Sequence, residues 1–235
     1  MVKRMSGYFL RKCHGATPNT ISNHCIVLDL DETLVHTFDD IDKIRSLNIL
    51  NDPDYIRMRK RLYMIDVDDP VTKRGEGRHI HMWGLLRPDT KKFLMFCFSY
   101  FKIVAIWTAG RKRYAEKIVQ ELTKDVNEPH IVYCFDHCLD ETGSCSTKDL
   151  RKIIQACPES MSLKNTFMID DRLYNFELNP DNGILIPPYE PKKSKASLID
   201  DSDPTLKNLQ KWFERSEVIE AEDIRTLDKS SIFSD

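Results

Sequence analysis

Cys25-Ile26-Val27-Leu28-Asp29-Leu30-Asp31-Glu32-Thr33-Leu34 runs from an uninterrupted apolar block straight into acidic residues. A short apolar block without alternation predicts a strand covered on both faces, since a half-exposed strand would show polar residues at every second position. Four further β-rich runs follow at wide spacing, over 102–108, 130–135, 166–169 and 183–186. Helical stretches separate them: Pro88 to about Phe101, Tyr114 to Leu122 and Asp149 to Cys157, the first opened by a proline that suits an initial helical turn. Leu62 to Val67 and His79 to Leu86 flank Asp69-Pro70 and the turn signal Gly75-Glu76-Gly77, and read as a hairpin. Strands alternating with helices predict an α/β fold, a Rossmann-like parallel sheet flanked by helices. Pro187 to Asp203 reads as a linker, Thr205 to Arg215 as an amphipathic helix.

The 235 residues carry 35 Lys and Arg against 37 Asp and Glu, a net charge of −2. That balance gives no whole-surface attraction to nucleic acid or anionic membrane and leaves only local patches. No apolar run approaches the roughly 18 residues of a membrane span. Met1 to Arg11 is too short and too interrupted for a signal peptide. The expected location is therefore intracellular, nuclear or cytoplasmic, with the seven cysteines as reduced thiols.

In parallel α/β sheets, ligands sit beyond the carboxyl ends of the strands. Asp29, Asp31 and Thr33 follow the first apolar run, Thr108 the second, Asp170 and Asp171 the fourth, and Lys148 precedes the helix between the third and fourth. Carboxylates gathered at one edge repel one another. The positive charge between them can come from Lys148 or from a metal, and oxygen ligands with retained waters suit magnesium. One carboxylate in such a site can attack a phosphoryl group; a second can protonate the leaving oxygen and later activate water. Asp29 and Asp31, two apart, point to one side of an extended backbone.

Asp29-Leu30-Asp31-Glu32-Thr33-Leu34-Val35-His36 resembles the signature of the RNA polymerase II C-terminal-domain phosphatases (NLI-interacting-factor-like), within the haloacid dehalogenase (HAD) superfamily. Arg87-Pro88 with Phe93-Leu94, Trp107-Thr108-Ala109-Gly110 with Tyr114-Ala115, Lys148-Asp149-Leu150, Ile169-Asp170-Asp171-Arg172 and Asn182-Gly183-Ile184 continue the likeness in order, over about Asn23 to Arg215. The resemblance implies a HAD-type sheet and a magnesium-dependent phosphatase working through an aspartyl phosphate, with a phosphoserine or phosphothreonine protein as substrate. It implies Asp29 as nucleophile and Asp31 as general acid and base, its backbone carbonyl also binding magnesium. Thr33, Thr108, Ala109 and Lys148 would bind phosphate. Asp171 would ligate Mg2+ directly, and Asp170 would orient Lys148 or a metal-bound water. It also implies a small hairpin-bearing insertion at about 39–87, after the first strand, inside a domain spanning 23–216. An irregular segment, 1–22, precedes that domain and a loose tail, 217–235, follows it.

One departure bears on the substrate. Phe135-Asp136-His137-Cys138 has no arginine where small relatives carry one. Rival readings are a phosphatase of polynucleotide ends or small metabolites, and a catalytically weak protein-binding module; the intact Asp29, Asp31 and Lys148 argue against the module. His36 reads as structural, and Arg87 as an orienting arginine at a helix start at least as readily as a substrate contact. Cys13-His14 with His24-Cys25, and Cys134, His137, Cys138 and Cys145, lack paired zinc spacing. Arg57 to Arg61 and Lys192 to Lys195 read as solvated basic faces.

Overall fold

The computed structural model describes residues 15–69, 78–139, 147–199 and 202–234. Among them the strands are β1 (Cys25–Leu28), β2 (Val35–Phe38), β3 (Leu62–Asp69), β4 (Arg78–Leu86), β5 (Ile103–Trp107), β6 (Ile131–Tyr133), β7 (Thr166–Asp170) and β8 (Gly183–Leu185). The helices are α1 (Asp42–Ser46), α2 (Ile56–Arg59), α3 (Thr90–Tyr100), α4 (Lys112–Leu122), α5 (Phe135–Cys138), α6 (Leu150–Ile154), α7 (Lys195–Ile199), α8 (Thr205–Phe213) and α9 (Ser216–Ile219).

The central sheet has the order β6-β5-β1-β7-β8, and every pairing in it is parallel. β1 lies in the middle: Val27 faces Ala105 on one side and Met168 on the other. Its apolar block is explained by its two faces. Ile26 and Leu28 pack into a core with Phe93, Leu94, Ala115, Ile118 and Phe213 of α3, α4 and α8. Cys25 and Val27 pack on the opposite face with Leu150 and Ile153 of α6. Successive residues of a strand point to opposite faces, so a strand covered twice must be apolar throughout. The expected parallel sheet flanked by helices is the architecture observed.

A second, antiparallel sheet of order β2-β4-β3 branches from the end of β1. β3 and β4 are the expected hairpin. On one face Tyr63, Ile65 and Val67 join the main core; on the other Trp83 and Leu85 form a small separate core with Phe38, Ile44, Met58 and Leu198. The sheet includes β2, which sequence reasoning merged with the acidic motif, and the charged stretch between β2 and β3 holds the short helices α1 and α2.

Three expectations are corrected. The proposed loose tail is packed: Val218, Ile224 and Ile232 are buried in the main core, and His24 Nε2 bonds Ala221 O at 2.9 Å. The Pro187 to Asp203 linker contains α7, whose Leu198 is fully buried. Of the irregular segment 1–22, residues 1–14 lie outside the described residues. Cys25, Cys97, Cys134 and Cys138 are free and buried, whereas Cys157 is disulfide-bonded, against the reading of seven thiols.

Candidate active site

The carboxyl ends of β1, β5 and β7 meet the loop before α6. The backbone N–H of Asp29 donates to Ile169 O at 3.0 Å, continuing the β1–β7 ladder and setting its carboxylate beside that of Asp170. Lys148 is held one residue ahead of the Asp149 cap of α6, where Asp149 accepts from Arg151 N and Asn179 Oδ1 from Leu150 N, both at 3.0 Å. Its ammonium donates to Asp29 Oδ1 at 2.5 Å and to Asp170 Oδ2 at 2.6 Å. All three groups are buried. Asp170 also accepts from Asn175 Nδ2 (2.8 and 2.9 Å) and from the backbone of Arg172 (2.9 Å). These bonds fix its carboxylate in place.

The protonation balance follows from burial. Burial opposes the Lys148 charge, but Asp29 and Asp170 outweigh it and raise its pKa, so the ammonium stays charged. Burial pushes the Asp29 carboxyl up; Lys148 pulls it back, and Asp170 and Asp31 add to the rise. Asp171 is pushed up to about 6, chiefly by burial and then by Asp170. Lys148, with Arg172 3.7 Å from Asp171, does not offset this many carboxylates. Oxygen atoms of Asp29, Asp170 and Asp171 lie within 4.8 Å of one another. An all-oxygen donor set carrying surplus negative charge fits a hard divalent cation. The side chain of Asp31, whose backbone carbonyl is the atom expected at the metal, stands outside this cluster.

Asp31 is held instead by hydroxyls. Thr108 Oγ1 donates to its Oδ2 at 3.2 Å and accepts from Gly110 N at 2.8 Å, while Tyr114 donates to its Oδ1. The chain of hydroxyls continues from Tyr114 to Thr37 (2.6 Å), from Thr37 to Tyr63 (2.6 Å) and from Tyr63 to His36 O (3.3 Å). Gly84 makes this possible: a Cβ there would lie 2.3 Å from the Tyr63 hydroxyl oxygen and 2.5 Å from His36 O. Burial raises the Asp31 carboxyl; the Tyr114 and Thr108 bonds work against the rise and Glu32 adds to it. A carboxyl raised in this way suits proton transfer near neutral pH.

The motif loop is clamped from outside. Glu32 adopts a left-handed φ of 57°, and Leu34 N and Val35 N both return to Leu30 O. Arg87, fully buried, donates to Thr33 O at 3.2 Å and to Asp203 at 2.9 Å, and Thr90 donates to Leu34 O at 3.0 Å. Arg87 thus holds the orienting position.

Of the expected residues, Asp29, Asp31, Lys148, Ala109, Asp170 and Asp171 line one cavity of about 310 Å3 with Glu32, Gly110, Arg172, Tyr174 and Asn175. Thr33 and Thr108 sit behind its wall; the Thr33 hydroxyl is buried without a partner. Sequence reasoning passed over Asn175 and used Tyr114 only as a spacing marker. The zinc readings find no cluster among the described residues: His24 bonds Ala221 O, Cys25 donates to Ser160 O at 3.3 Å, and the His137 ring stacks on Tyr133 at 4.1 Å. Cys13, His14 and Cys145 lie outside the described residues. The basic runs are engaged with their own chain: Arg59 donates to Ile49 O and Asp52 O, and Lys193 and Lys195 pair with Asp40 and with Asp52 and Asp54.

A family model described as NLI interacting factor-like phosphatase matches residues 24–225. The chain belongs to this family. Ubiquitin-like domain-containing CTD phosphatase 1 of Homo sapiens is 31% identical over 174 residues, covering 71% of this chain and 52% of the relative. The chain spans about half the length of such relatives. Two solved structures are similar in fold. The fission yeast RNA polymerase II CTD phosphatase Fcp1-R271A bound to beryllium fluoride has a TM-score of 0.56 at 19% identity, covering 80% of this chain and 49% of that one. Fcp1, an essential RNA polymerase II CTD phosphatase, has a TM-score of 0.61 at 17% identity, covering 86% and 68%. Among the described residues no helix is long and apolar enough to cross a membrane.

Proposed function

We propose that this chain hydrolyses phosphomonoesters of protein serine or threonine through an aspartyl phosphate on Asp29. The observation that carries the reading is the division of labour between two carboxylates two residues apart: Asp29 paired with a buried ammonium, Asp31 held by hydroxyls alone. An oxygen of Asp29 attacks phosphorus, and the bond from phosphorus to the substrate oxygen breaks. Asp31 gives its proton to that leaving oxygen. Asp31 then takes a proton from water, whose oxygen displaces phosphate from Asp29 and restores the carboxylate. Lys148 offsets charge on the nucleophile and the phosphoryl oxygens. Asp29 and Asp171, with Asp170 behind them, would hold magnesium, which when bound supplies further neutralisation of the phosphate charge.

A larger cavity of about 890 Å3 adjoins the first and shares Asp31, Glu32, Ala109 and Gly110 with it. Its walls combine Val67, Ile80, Met82 and Phe135 with Arg111, Lys112 and Arg113. The trough, apolar at its floor and edged by these cations together with Asp68 and Asp136, runs from the general acid and supports an extended phosphopeptide over a small metabolite.

Rapid-quench labelling with p-nitrophenyl phosphate and with phosphopeptides tests this. Asp29→Asn is expected to form no phosphoenzyme and to turn over nothing. Asp31→Asn is expected to label, because p-nitrophenolate leaves without protonation, yet to hydrolyse the label about 10²- to 10⁴-fold more slowly. Labelling of Asp29→Asn but not Asp31→Asn would reverse the assignment. A phosphorylated polymerase C-terminal-domain peptide and unrelated phosphopeptides, run side by side, measure selectivity.

A further inference from the structure

The β3–β4 hairpin carries a group that the phosphatase chemistry does not use. His79 and His81 are two apart on β4 and share a face; the antiparallel register sets them opposite Asp68 and Asp66 of β3. His79 Nδ1 lies 2.6 Å from Asp68 Oδ1, and His81 Nδ1 lies 2.6 Å from Asp66 Oδ1. The two imidazole centroids are 4.6 Å apart. Ligand atoms of Asp66, His79 and His81 lie within 4.8 Å of one another, and every one of these side chains is more than half exposed.

We propose that Asp66, His79 and His81 form a surface site for one divalent transition-metal ion of the zinc class, separate from the acidic site at Asp29. Donor chemistry sets the class. Two imidazole nitrogens and one carboxylate suit zinc, cobalt or nickel, whereas the all-oxygen set of Asp29, Asp170 and Asp171 suits magnesium. Tetrahedral zinc with bonds of about 2.0–2.2 Å sets its ligands roughly 3.3–3.6 Å apart. To reach that spacing the 2.6 Å His81–Asp66 contact opens and the wider separations, all within 4.8 Å, close, which exposed side chains achieve by rotamer change while both strands stay in register. Asp68 completes the arrangement. By accepting from His79 Nδ1 it fixes the tautomer and leaves Nε2 with its lone pair toward a metal, the carboxylate–imidazole–metal relay. Arg113 donates to Asp68 O at 2.8 Å and ties this end of β3 to α4, so the support is rigid. Three protein donors leave a coordination position open to water or to a donor from another molecule.

The test is titration of the full chain with Co2+, followed by visible absorption and calorimetry, with saturating Mg2+ present to fill the acidic site. One Co2+ is expected to bind, with the d–d bands of nitrogen ligation, and Zn2+ is expected to displace it. The His79→Asn/His81→Asn double variant is expected to lose this Co2+ while keeping the wild-type circular dichroism, because both side chains are exposed. Asp68→Asn is expected to weaken it about 10- to 100-fold, and Asp29→Asn to leave it unchanged. Absence of Co2+ binding once Mg2+ saturates overturns the proposal, as does undiminished binding by the double variant. Either result would leave these residues as cross-strand pairs that only steady the hairpin.

Discussion

Lys148→Met deletes the buried ammonium and keeps a stem of similar length. Its contacts at 2.5 and 2.6 Å each carry a gross attraction of about 6–7 kcal/mol at an effective dielectric of about 20. Desolvation of three ions offsets much of that. What the variant loses is bounded by its way out, capture of a proton by the Asp29–Asp170 pair. For a carboxyl that titrates near 3.9 in the unfolded chain, capture costs about 5 kcal/mol at about pH 7.5 and about 1.5 kcal/mol at about pH 5. The first bound agrees with the roughly 3–5 kcal/mol lost when a buried ion pair is broken. The sign follows from linkage: the folded variant keeps a proton that the unfolded chain has released, so its stability rises as pH falls. Denaturant unfolding of both proteins in EDTA should give a difference of about 3–5 kcal/mol at the higher pH, shrinking toward 1.5 kcal/mol at the lower. A difference under about 1 kcal/mol at pH 7.5, or one that pH does not alter, would refute the uncompensated buried pair.

Three further outcomes are expected. EDTA should abolish p-nitrophenol release and magnesium restore it, while calcium, which takes 6–8 oxygens at longer range, should not; full turnover in EDTA would remove the metal from the reading. Tyr114→Phe removes a hydrogen bond to a carboxylate worth about 1.5–3 kcal/mol, so kcat should fall roughly 10- to 150-fold. The acid limb of its pH profile should move up with little change in Tm, and a lowered Tm with unaltered kinetics would make the hydroxyl structural. Burial lowers the pKa of both His24 and His130, and His130 Nδ1 accepts from Val104 N at 3.1 Å. At these two sites the folded chain therefore binds fewer protons than the unfolded one, so the wild type should lose stability relative to a His24→Gln/His130→Asn variant as pH falls below about 6.5; equal pH slopes of Tm in the two proteins would contradict this.

The parallel sheet was legible because β1 is covered on both faces and spells that out as unbroken apolar residues. The polar residues after β1, β5 and β7 were legible because topology sends every parallel strand end to one edge. What stayed hidden has physical causes. β2 is four residues long and directly follows the acidic loop, so it has no periodicity of its own. Val218, Ile224 and Ile232 stand alone or in apolar pairs, with Ile219 and Phe233, among polar residues, and only their distant partners show that they are anchors. The role of Tyr114 depends on Thr37, Tyr63 and the absence of a side chain at Gly84, residues of the antiparallel sheet that meet α4 only in the folded chain. Spacing put Asp29 and Asp31 on one side of an extended backbone; that Lys148 holds the first while the hydroxyls of Thr108 and Tyr114 hold the second depends on residues distant in the chain.

The Arg87 clamp has a consequence for how the chain acquires its shape. Arg87 joins Thr33, 54 residues before it, to Asp203, 116 residues after it, and Tyr189 N closes on Glu32 O at 2.7 Å. Contacts so far apart along the chain form late, because the entropy of closing long loops must be met before they contribute. The acidic loop thus takes its working form only once the polypeptide beyond Asp203 is available, and a growing chain released short of that point holds every motif residue but not the arrangement that joins them.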